Sequence, residues 1–277
     1  MSVLLPDSTR SAVELLAATG GMAVPVAGGT DLLVQWPVRL DDHAKTYVDL
    51  SGARELKSHR WTERALVLGG LTTYWDVLKD ARVWREFPLL AEAARQVGAI
   101  QIQARGTWAG NIVNASPAAD GVPVLMAYDA VLVLESVAGQ EEIPLADFYT
   151  GYKQMRRRGD QLVVAIRIPR RSHGFQVCEK VGQRRAQAIS KVGLAVTRSD
   201  AGWRVVAASM APTVRRCPAV ERLLEERTPV RRAADFLPAI ERDVAPIDDI
   251  RSTASYRMRV MANLLYHDLR QFCYFIV

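Results

Sequence analysis

The chain has 277 residues, 49% of them hydrophobic and 24% charged, which excludes a disordered protein and is long enough for two domains. The formal charge is +6, but 30 acidic residues are interspersed among the 36 basic ones. This interspersion, without an aromatic recognition motif, disfavours a nucleic-acid-binding protein.

The first predicted elements form a small β–turn–α–β unit. Asp7 or Ser8 caps a helix that runs to Ala18. The elements predicted after it are a strand over 23–27, a short helix over 32–36 that ends before Pro37, and a strand over 47–50. The glycines of this unit therefore lie at the carboxyl end of its first strand.

A second predicted region begins near His59. It contains strands over 65–68, 131–134 and 162–168, a helix capped by Thr72 or Thr73 that runs to 80, and a helix opened by Pro88 that ends near 98. Residues 106–119 are rich in Gly, Asn, Ser, Thr and Pro between apolar runs. We expect this segment to be a functional loop.

A domain boundary is predicted around 169–172. Beyond it, the patterns indicate strands over 176–181, 188–196 and 204–208, and helices over 219–226, 234–244 and 253–272. The last helix has an apolar stripe that predicts burial, made of Ala254, Met258, Met261, Ala262, Leu265, Leu269 and Phe272.

The cysteines, Cys178, Cys217 and Cys273, are widely separated, as are the four histidines. This spacing predicts no metal site, no iron–sulfur cluster and no disulfide framework on this chain. No leader pattern is evident at the first residues, and no apolar run reaches the roughly 18 residues that a membrane span needs. We expect a cytoplasmic protein without a membrane span.

Three motifs have compositions that suit ligand binding. In the first motif, Pro25-Val26-Ala27-Gly28-Gly29-Thr30-Asp31-Leu32, glycines after a strand let backbone amides approach a diphosphate, although an ordinary tight turn has the same composition. In the second motif, residues 106–120, Thr107 and Asn111 could donate to phosphate and Asp120 could accept from sugar hydroxyls; the alternative is a polar surface loop in which Asp120 caps a helix. In the third motif, residues 180–192, cations could meet a phosphate, a partner or water.

Together the three motifs resemble the FAD-binding (medium) subunit of the molybdenum hydroxylase family, the xanthine dehydrogenase and carbon monoxide dehydrogenase class. The matching segments are AGGTDL, GTWAGNIVNASPAAD and KVGQRRAQAISKV, in the family's order and through most of the chain. The chain departs from the family pattern at two positions: Ala109 replaces the first glycine of a Gly-Gly pair, and Trp108 replaces a smaller aliphatic residue.

The resemblance implies an α+β fold. A two-lobed FAD-binding domain of the vanillyl-alcohol oxidase and p-cresol methylhydroxylase type would span 1–172, with lobes of about 1–57 and 58–172. A small C-terminal domain, a three-stranded antiparallel sheet with helices, would span 173–277.

The resemblance also implies site residues. Val26, Ala27, Gly28, Gly29, Thr30, Asp31 and Leu32 would wrap the diphosphate, and Thr107, Gly110 and Asn111 would complete that pocket. Asp120 would bind ribityl or ribose hydroxyls, Val163 would approach the adenine or the flavin through its backbone, and Lys180 would contact the cofactor from the second domain. Arg184 and Arg185 would serve either the flavin or a partner interface. No residue of this chain is expected to act as a catalytic acid or base.

In this family, a large subunit oxidises substrate at a molybdenum cofactor, and electrons pass through two [2Fe–2S] clusters on a small subunit to FAD and then to an external acceptor. The resemblance therefore implies a heteromeric oxidoreductase, a dimer of heterotrimers. Two alternatives are a stand-alone flavin oxidoreductase of the same fold and a flavin-free scaffold subunit. The absence of His and Cys from both glycine-bearing motifs and the small second domain favour the subunit over the stand-alone oxidoreductase. The departure at Ala109 is the only support for the scaffold.

Overall fold

The computed structural model describes residues 2–34 and 45–277, which form three successive units, each built on its own sheet. In the first unit, a parallel sheet in the order β1-β3-β2 packs against one helix. Its elements are β1 (Ser2–Leu4), α1 (Thr9–Ala18), β2 (Val24–Val26) and β3 (Thr46–Asp49). Helix α1 begins where predicted, because the Ser8 hydroxyl accepts a hydrogen bond from the backbone N–H of Ser11.

The first unit differs from the sequence prediction in two places. Strand β1 was not predicted, because three residues are too few to show a period. The predicted helix over 32–36 is a 3₁₀ turn at Leu32–Val34 in its described part, and Trp36 and Pro37 lie outside the described residues. A single 3₁₀ turn has little aligned dipole, so the diphosphate-binding argument for the first motif rests on its backbone amides.

The second unit is an antiparallel sheet in the order β4-β5-β10-β6-β7, covered by short helices that enclose the main core. Its elements are β4 (His59–Trp61), β5 (Ala65–Gly69), α2 (Tyr74–Lys79), α3 (Ala81–Glu86), α4 (Pro88–Gln96), α5 (Ile100–Gln103), α6 (Trp108–Val113), α7 (Gly121–Ala127), β6 (Val131–Ser136), β7 (Gly139–Pro144), β8 (Tyr149–Gly151), β9 (Gln154–Met155) and β10 (Leu162–Pro169). In β10, Leu162, Val164, Ile166 and Ile168 are buried as the predicted alternation requires, but Val163 is buried too, so the alternation holds only from Val164 onward.

The third unit is an antiparallel sheet in the order β11-β12-β13-β14 with helices on one face. Its elements are β11 (Phe175–Val181), β12 (Val192–Ser199), β13 (Gly202–Ala208), β14 (Arg215–Arg216), α8 (Pro218–Glu225), α9 (Leu237–Asp243) and α10 (Ala254–Leu269). Over residues 175–216, all of them described, the sheet has four strands, so the prediction of three strands is wrong. The strand that was missed, β14, has only two residues and pairs with Val206 and Ala207.

Other boundaries in this unit also differ from prediction. Strand β12 begins at Val192 rather than at 188, because 182–191 form an irregular connection. The helix predicted over 234–244 is a 3₁₀ turn at Ala233–Phe236 followed by α9, since Pro238 lies in the first turn of α9. In α10, Met261, Ala262, Leu265 and Leu269 are buried as predicted, but Phe272 lies beyond the helix and is exposed.

The second and third units pack directly on each other. Helix α7 lies against β12 and β13, and α4 contacts β11. The hydroxyl of Thr197 in β12 donates to the carbonyl oxygen of Ala127 at 2.8 Å, in a buried position. This contact holds the third sheet against α7, the helix that follows the second motif. Among the helices of the described residues, none combines the length and hydropathy that crossing a bilayer requires.

Candidate functional site

The first motif turns sharply after β2, and its two glycines have separate structural causes. A Cβ added at Gly28 would lie 1.8 Å from the carbonyl oxygen of Arg105. Gly29 has a φ of +71°, in the left-handed region that side chains disfavour. Gly28 therefore allows the first motif to pack against the backbone that leads into α6, and Gly29 allows the turn itself.

The second motif, predicted as a loop, contains a short helix, α6 at Trp108–Val113, and is irregular over 114–120. Thr107 caps α6, and its hydroxyl oxygen accepts from the backbone N–H of Gly110 at 3.0 Å. Ala109 lies inside this right-handed helix and is not among the described residues with positive φ. Alanine therefore fits without backbone strain at the position where the family pattern has glycine.

Trp108 is buried in the core beneath the site. Its ring centroid is 4.8 Å from that of Tyr74, and a Cβ added at Gly121 would lie 3.1 Å from the Trp108 ring. The large ring thus occupies space left by a glycine. Trp108 is not among the described residues that line the neighbouring cavity.

The first and second motifs are joined by side chains that the sequence analysis did not single out. Asn114 Nδ2 donates to Asp31 Oδ1 at 3.0 Å. Lys153 Nζ donates to the Asn114 backbone oxygen at 2.6 Å and to Asn114 Oδ1 at 2.8 Å. Asn114 lies within the quoted second motif, so its position in the motif was the available signal, whereas Lys153 carried none.

Asp120 precedes α7, but its side chain makes no capping hydrogen bond, so the alternative role as a helix cap is wrong. Its Oδ2 instead accepts from Lys180 Nζ at 2.7 Å, and Lys180 also donates to the backbone oxygen of Gln96 at 3.1 Å. Burial raises the pKa of Asp120, and the Lys180 ammonium opposes that rise. Lys180 thus holds one carboxylate oxygen of Asp120.

Val163 lies where strand β10 is irregular. The register between β10 and β6 shifts between Val163 and Ala165. A Cβ added at Gly70 would lie 2.4 Å from the Val163 carbonyl oxygen, so the glycine permits a close backbone approach here. Val163 is buried among its neighbours and contributes to the wall of the cavity.

All these segments surround one cavity of about 1100 Å³. The structure brings together the following predicted residues along its wall: Val26, Ala27, Gly28, Gly29, Thr30, Asp31, Leu32, Thr107, Gly110, Asn111, Asp120 and Val163. Lys180 lies behind Asp120 and lines a small neighbouring recess. Arg184 and Arg185 are exposed and lie outside the described lining, and Arg184 donates to the backbone oxygens of Ala186 and Gln187 in its own loop.

The third unit supplies the remaining wall of the cavity, which the sequence analysis largely missed. The lining residues from this unit are Gln187, Ala188, Ile189, Ser190, Ser209, Ala211, Pro212, Ala245, Pro246, Ile247, Asp249, Arg251 and Arg257. Arg257 is 3% exposed. A signal for it was available, because Arg257 falls on the apolar stripe of α10 between Ala254 and Met261, and an arginine on a buried face needs partners.

Comparisons with known proteins identify the two halves of the chain. Residues 1–171 match the family described as "FAD binding domain in molybdopterin dehydrogenase". The chain belongs to this family. Residues 178–272 match the family described as "CO dehydrogenase flavoprotein C-terminal domain". The predicted resemblance and the predicted α+β fold, an FAD-binding domain followed by a C-terminal domain, are confirmed.

Relatives of this FAD-binding chain are dehydrogenase subunits. It is 29% identical to the carbon monoxide dehydrogenase medium chain of Hydrogenophaga pseudoflava over 269 residues, 94% of this chain and 92% of the relative. It is also 29% identical to the xanthine dehydrogenase FAD-binding subunit of Escherichia coli O157:H7 over 262 residues, 91% of this chain and 89% of the relative.

Solved structures share the whole fold. The carbon monoxide dehydrogenase from Hydrogenophaga pseudoflava that lacks the Mo-pyranopterin moiety of the molybdenum cofactor matches with a TM-score of 0.86 at 25% identity, covering 100% of this chain and 98% of that chain. Quinoline 2-oxidoreductase from Pseudomonas putida 86 matches with a TM-score of 0.84 at 19% identity, covering 99% and 97%, which shows the fold alone.

The cavity fits the cofactor that the family name specifies. Cavities that enclose small molecules commonly measure about 300–1,000 Å³, so this cavity has room for a large, extended ligand. Asn111 Oδ1 and the Tyr74 hydroxyl are buried polar atoms of lining residues, and neither has a hydrogen-bond partner within the described chain. Such atoms are normally satisfied by a ligand or an ordered water, and an FAD rich in polar groups suits them.

Proposed function

We propose that this chain is the FAD-carrying electron-transfer subunit of a multi-subunit molybdenum hydroxylase. It would take electrons from a [2Fe–2S] subunit and pass them to an external acceptor. The proposal rests chiefly on one observation: the two glycine-bearing motifs and the third unit, distant in sequence, line one cavity in a member of an FAD-binding family. When bound, FAD supplies the redox chemistry.

We propose that the residues of this chain bind and orient the cofactor. Backbone amides of Val26 to Leu32 in the first motif, together with Thr107, Gly110 and Asn111, would hold the diphosphate. Asp120 would accept from ribityl or ribose hydroxyls through the carboxylate oxygen that Lys180 leaves free. Val163 would approach the ring system through its backbone, and Lys180 would act through Asp120 rather than by direct contact.

Substrate oxidation is proposed to occur on a large molybdenum-cofactor subunit, with the clusters on a small subunit, in a dimer of heterotrimers in the cytoplasm. Two relatives are named as a medium chain and an FAD-binding subunit, which supports a heteromeric assembly. We also propose domain limits of 1–172, with lobes 1–57 and 58–172, and 173–277. The sheets at 59–169 and 175–216 are consistent with a junction between 169 and 175.

The cofactor proposal is tested by the flavin content of purified protein. Wild-type chain is expected to carry FAD, whereas Asp120→Ala and Gly29→Val should reduce FAD occupancy severalfold while the far-ultraviolet circular dichroism is unchanged. Gly174→Ala is the matched control, because Gly174 has no atom within 4 Å of an added Cβ. FAD occupancy equal to wild type in both Asp120→Ala and Gly29→Val would contradict the proposal that this cavity is the FAD site.

The assembly proposal is tested by co-expressing the chain with the products of neighbouring genes. A complex with molybdenum, iron and flavin that oxidises substrate only when all chains are present is the expected result. A yellow, monodisperse and active single chain would instead indicate the stand-alone oxidoreductase, and a colourless chain in a stable complex would indicate the scaffold.

A further inference from the structure

Arg257 is a buried charged side chain on the apolar face of α10. Its Nη1 donates to the backbone oxygens of Lys191 and Ser209, both at 2.8 Å, and its Nη2 donates to Asp249 Oδ1 at 2.7 Å. The Arg257 side chain is 4% exposed. A buried cation is tolerated when it is paired and hydrogen-bonded, and here one guanidinium bonds three separate segments.

Each of those three segments leads directly to the cavity wall. Lys191 follows Gln187–Ser190, Ser209 precedes Ala211 and Pro212, and Asp249 lies between Ile247 and Arg251. Arg257 itself also lines the cavity. Arg257 therefore hydrogen-bonds all three of the third unit's segments that line the cavity.

Ser209 connects the segments bonded by Arg257 to the second motif. Its backbone N–H donates to the carbonyl oxygen of Pro117 at 2.7 Å, and its hydroxyl donates to the backbone oxygen of Ser190 at 2.9 Å. Ser209 has a φ of +61°, a strained conformation for a non-glycine residue. Such strain persists only when the surroundings impose it, and the bond from Arg257 to the Ser209 oxygen is one of those constraints.

Asp249 is the acidic partner of Arg257. Its Oδ1 also accepts from the backbone N–H groups of Arg251 and Ser252, at 2.8 and 3.0 Å, which closes a tight turn around the carboxylate. A lysine at position 257 would keep the charge but would lose the planar fork that donates from two nitrogens at once. Charge alone cannot reproduce this geometry.

We propose that Arg257 is a positioning residue of the FAD site: it holds the third unit's segments against the second motif, so that the cavity closes over the bound cofactor. The inference deepens the proposed function and rests on it. Arg257 would act through Ser209 and Pro117, and through the turn around Asp249, rather than through the chemistry of the flavin.

The test compares Arg257→Lys and Asp249→Asn with Arg216→Lys in the full chain. Arg216 is the matched control, because it forms an ion pair with Glu221 in the same unit, with Nε and Oε1 2.9 Å apart, and is not among the described lining residues. FAD release is followed by the fluorescence of free FAD after dilution, the polarity around bound FAD by the fine structure of its visible absorbance, and stability by the urea midpoint.

Arg257→Lys is expected to release FAD about tenfold faster than wild type and to blur the fine structure of the flavin spectrum, and Asp249→Asn about threefold faster. Arg216→Lys should lower the urea midpoint without changing release or spectrum. Wild-type rates and spectra in both Arg257→Lys and Asp249→Asn would overturn the inference, as would equal acceleration in Arg216→Lys. Should Arg257→Lys not fold, Asp249→Asn alone decides. A wild-type chain that binds no FAD would instead overturn the proposed function.

Discussion

At the scale of single residues, the two adjacent glycines of the first motif have different roles. The sequence indicated that both would let the backbone approach an anion. In the structure, only Gly29 has positive φ, whereas Gly28 is needed because the Arg105 carbonyl occupies the place of its Cβ. A sequence pattern cannot separate these causes, since Arg105 is distant along the chain.

We expect Gly28→Ala to be more damaging than Gly29→Ala. An added Cβ at position 28 would clash with the Arg105 carbonyl oxygen, so the backbone of one motif must move. At position 29 there is no such clash, and the left-handed conformation of an alanine costs about 1–2 kcal/mol of unfolding free energy. Urea unfolding and FAD content should both show the order Gly28→Ala, then Gly29→Ala, then Gly174→Ala, which is expected to match wild type. The reverse order for the first two would mean that the two motifs do not pack as described.

Asp80 gives a pH dependence whose sign follows from its contacts. Burial raises the pKa of Asp80, but hydrogen bonds from Trp61, from the Arg82 backbone and from His59 together lower it below the ordinary value of 3.8. The folded state therefore favours the ionised carboxyl. Its stabilisation is fully present above pH 3.8 and is lost as the pH falls through the lower folded-state pKa.

Asp80→Asn is accordingly expected to lower the urea midpoint at pH 7 and at pH 5, and the gap from wild type should shrink near pH 3 and below. Asp200→Asn serves as the control, because the Asp200 side chain is 84% exposed. A gap that widens on acidification would contradict the pKa direction of Asp80.

At the scale of elements, the long strands and helices were predictable and the short ones were not. Strand β10 has eight residues, and its burial alternates from Val164 to Pro169, although Val163 is buried as well. Strands β9 and β14 have two residues each and no period to detect. Helix α6 was predicted as a loop because its segment is rich in Gly, Asn and Ser, but burial of Trp108 and Ile112 outweighs that weak local propensity.

The packing of α6 can be tested with two tryptophans. Trp108→Ala is expected to cost about 3–5 kcal/mol of unfolding free energy, because it empties a fully buried site. Trp84→Ala should cost about 1 kcal/mol, since Trp84 is 42% exposed and chiefly loses one hydrogen bond, to Leu78. Urea unfolding of both variants measures the difference. Equal losses of unfolding free energy in the two variants would show that the packing of Trp108 does not stabilise the core beneath the cavity.

At the scale of the whole molecule, the site depends on contacts between units that no local pattern encodes. The motifs themselves were recognisable from sequence, and twelve predicted residues line the cavity. The contributions of Ser209 and Asp249 were not, because they depend on how the third sheet packs against α7. For Arg257, the apolar stripe of α10 could indicate burial but not which segments the side chain bonds. Lys180 was predicted to contact the cofactor directly, and this stays a prediction; its bonds to Asp120 and to the backbone oxygen of Gln96 support the proposal that it acts through Asp120.

The Lys180–Asp120 pair joins the third unit to the second, with side chains that are 13% and 20% exposed. Lys180→Met is expected to destabilise the chain by roughly 3–5 kcal/mol if Asp120 stays charged, because removal of one partner leaves a buried charge. The double variant Lys180→Met/Asp120→Asn should recover part of that loss. Urea midpoints of the two single variants and the double variant measure the coupling, and strictly additive losses would exclude it.

The distribution of the cavity wall along the chain has a consequence for biogenesis. Its components begin at Val24 and include Arg257, so the full enclosure cannot form before synthesis has passed Arg257. FAD that meets a shorter nascent chain would find an incomplete wall, and we expect stable retention of the cofactor only after the third unit has folded.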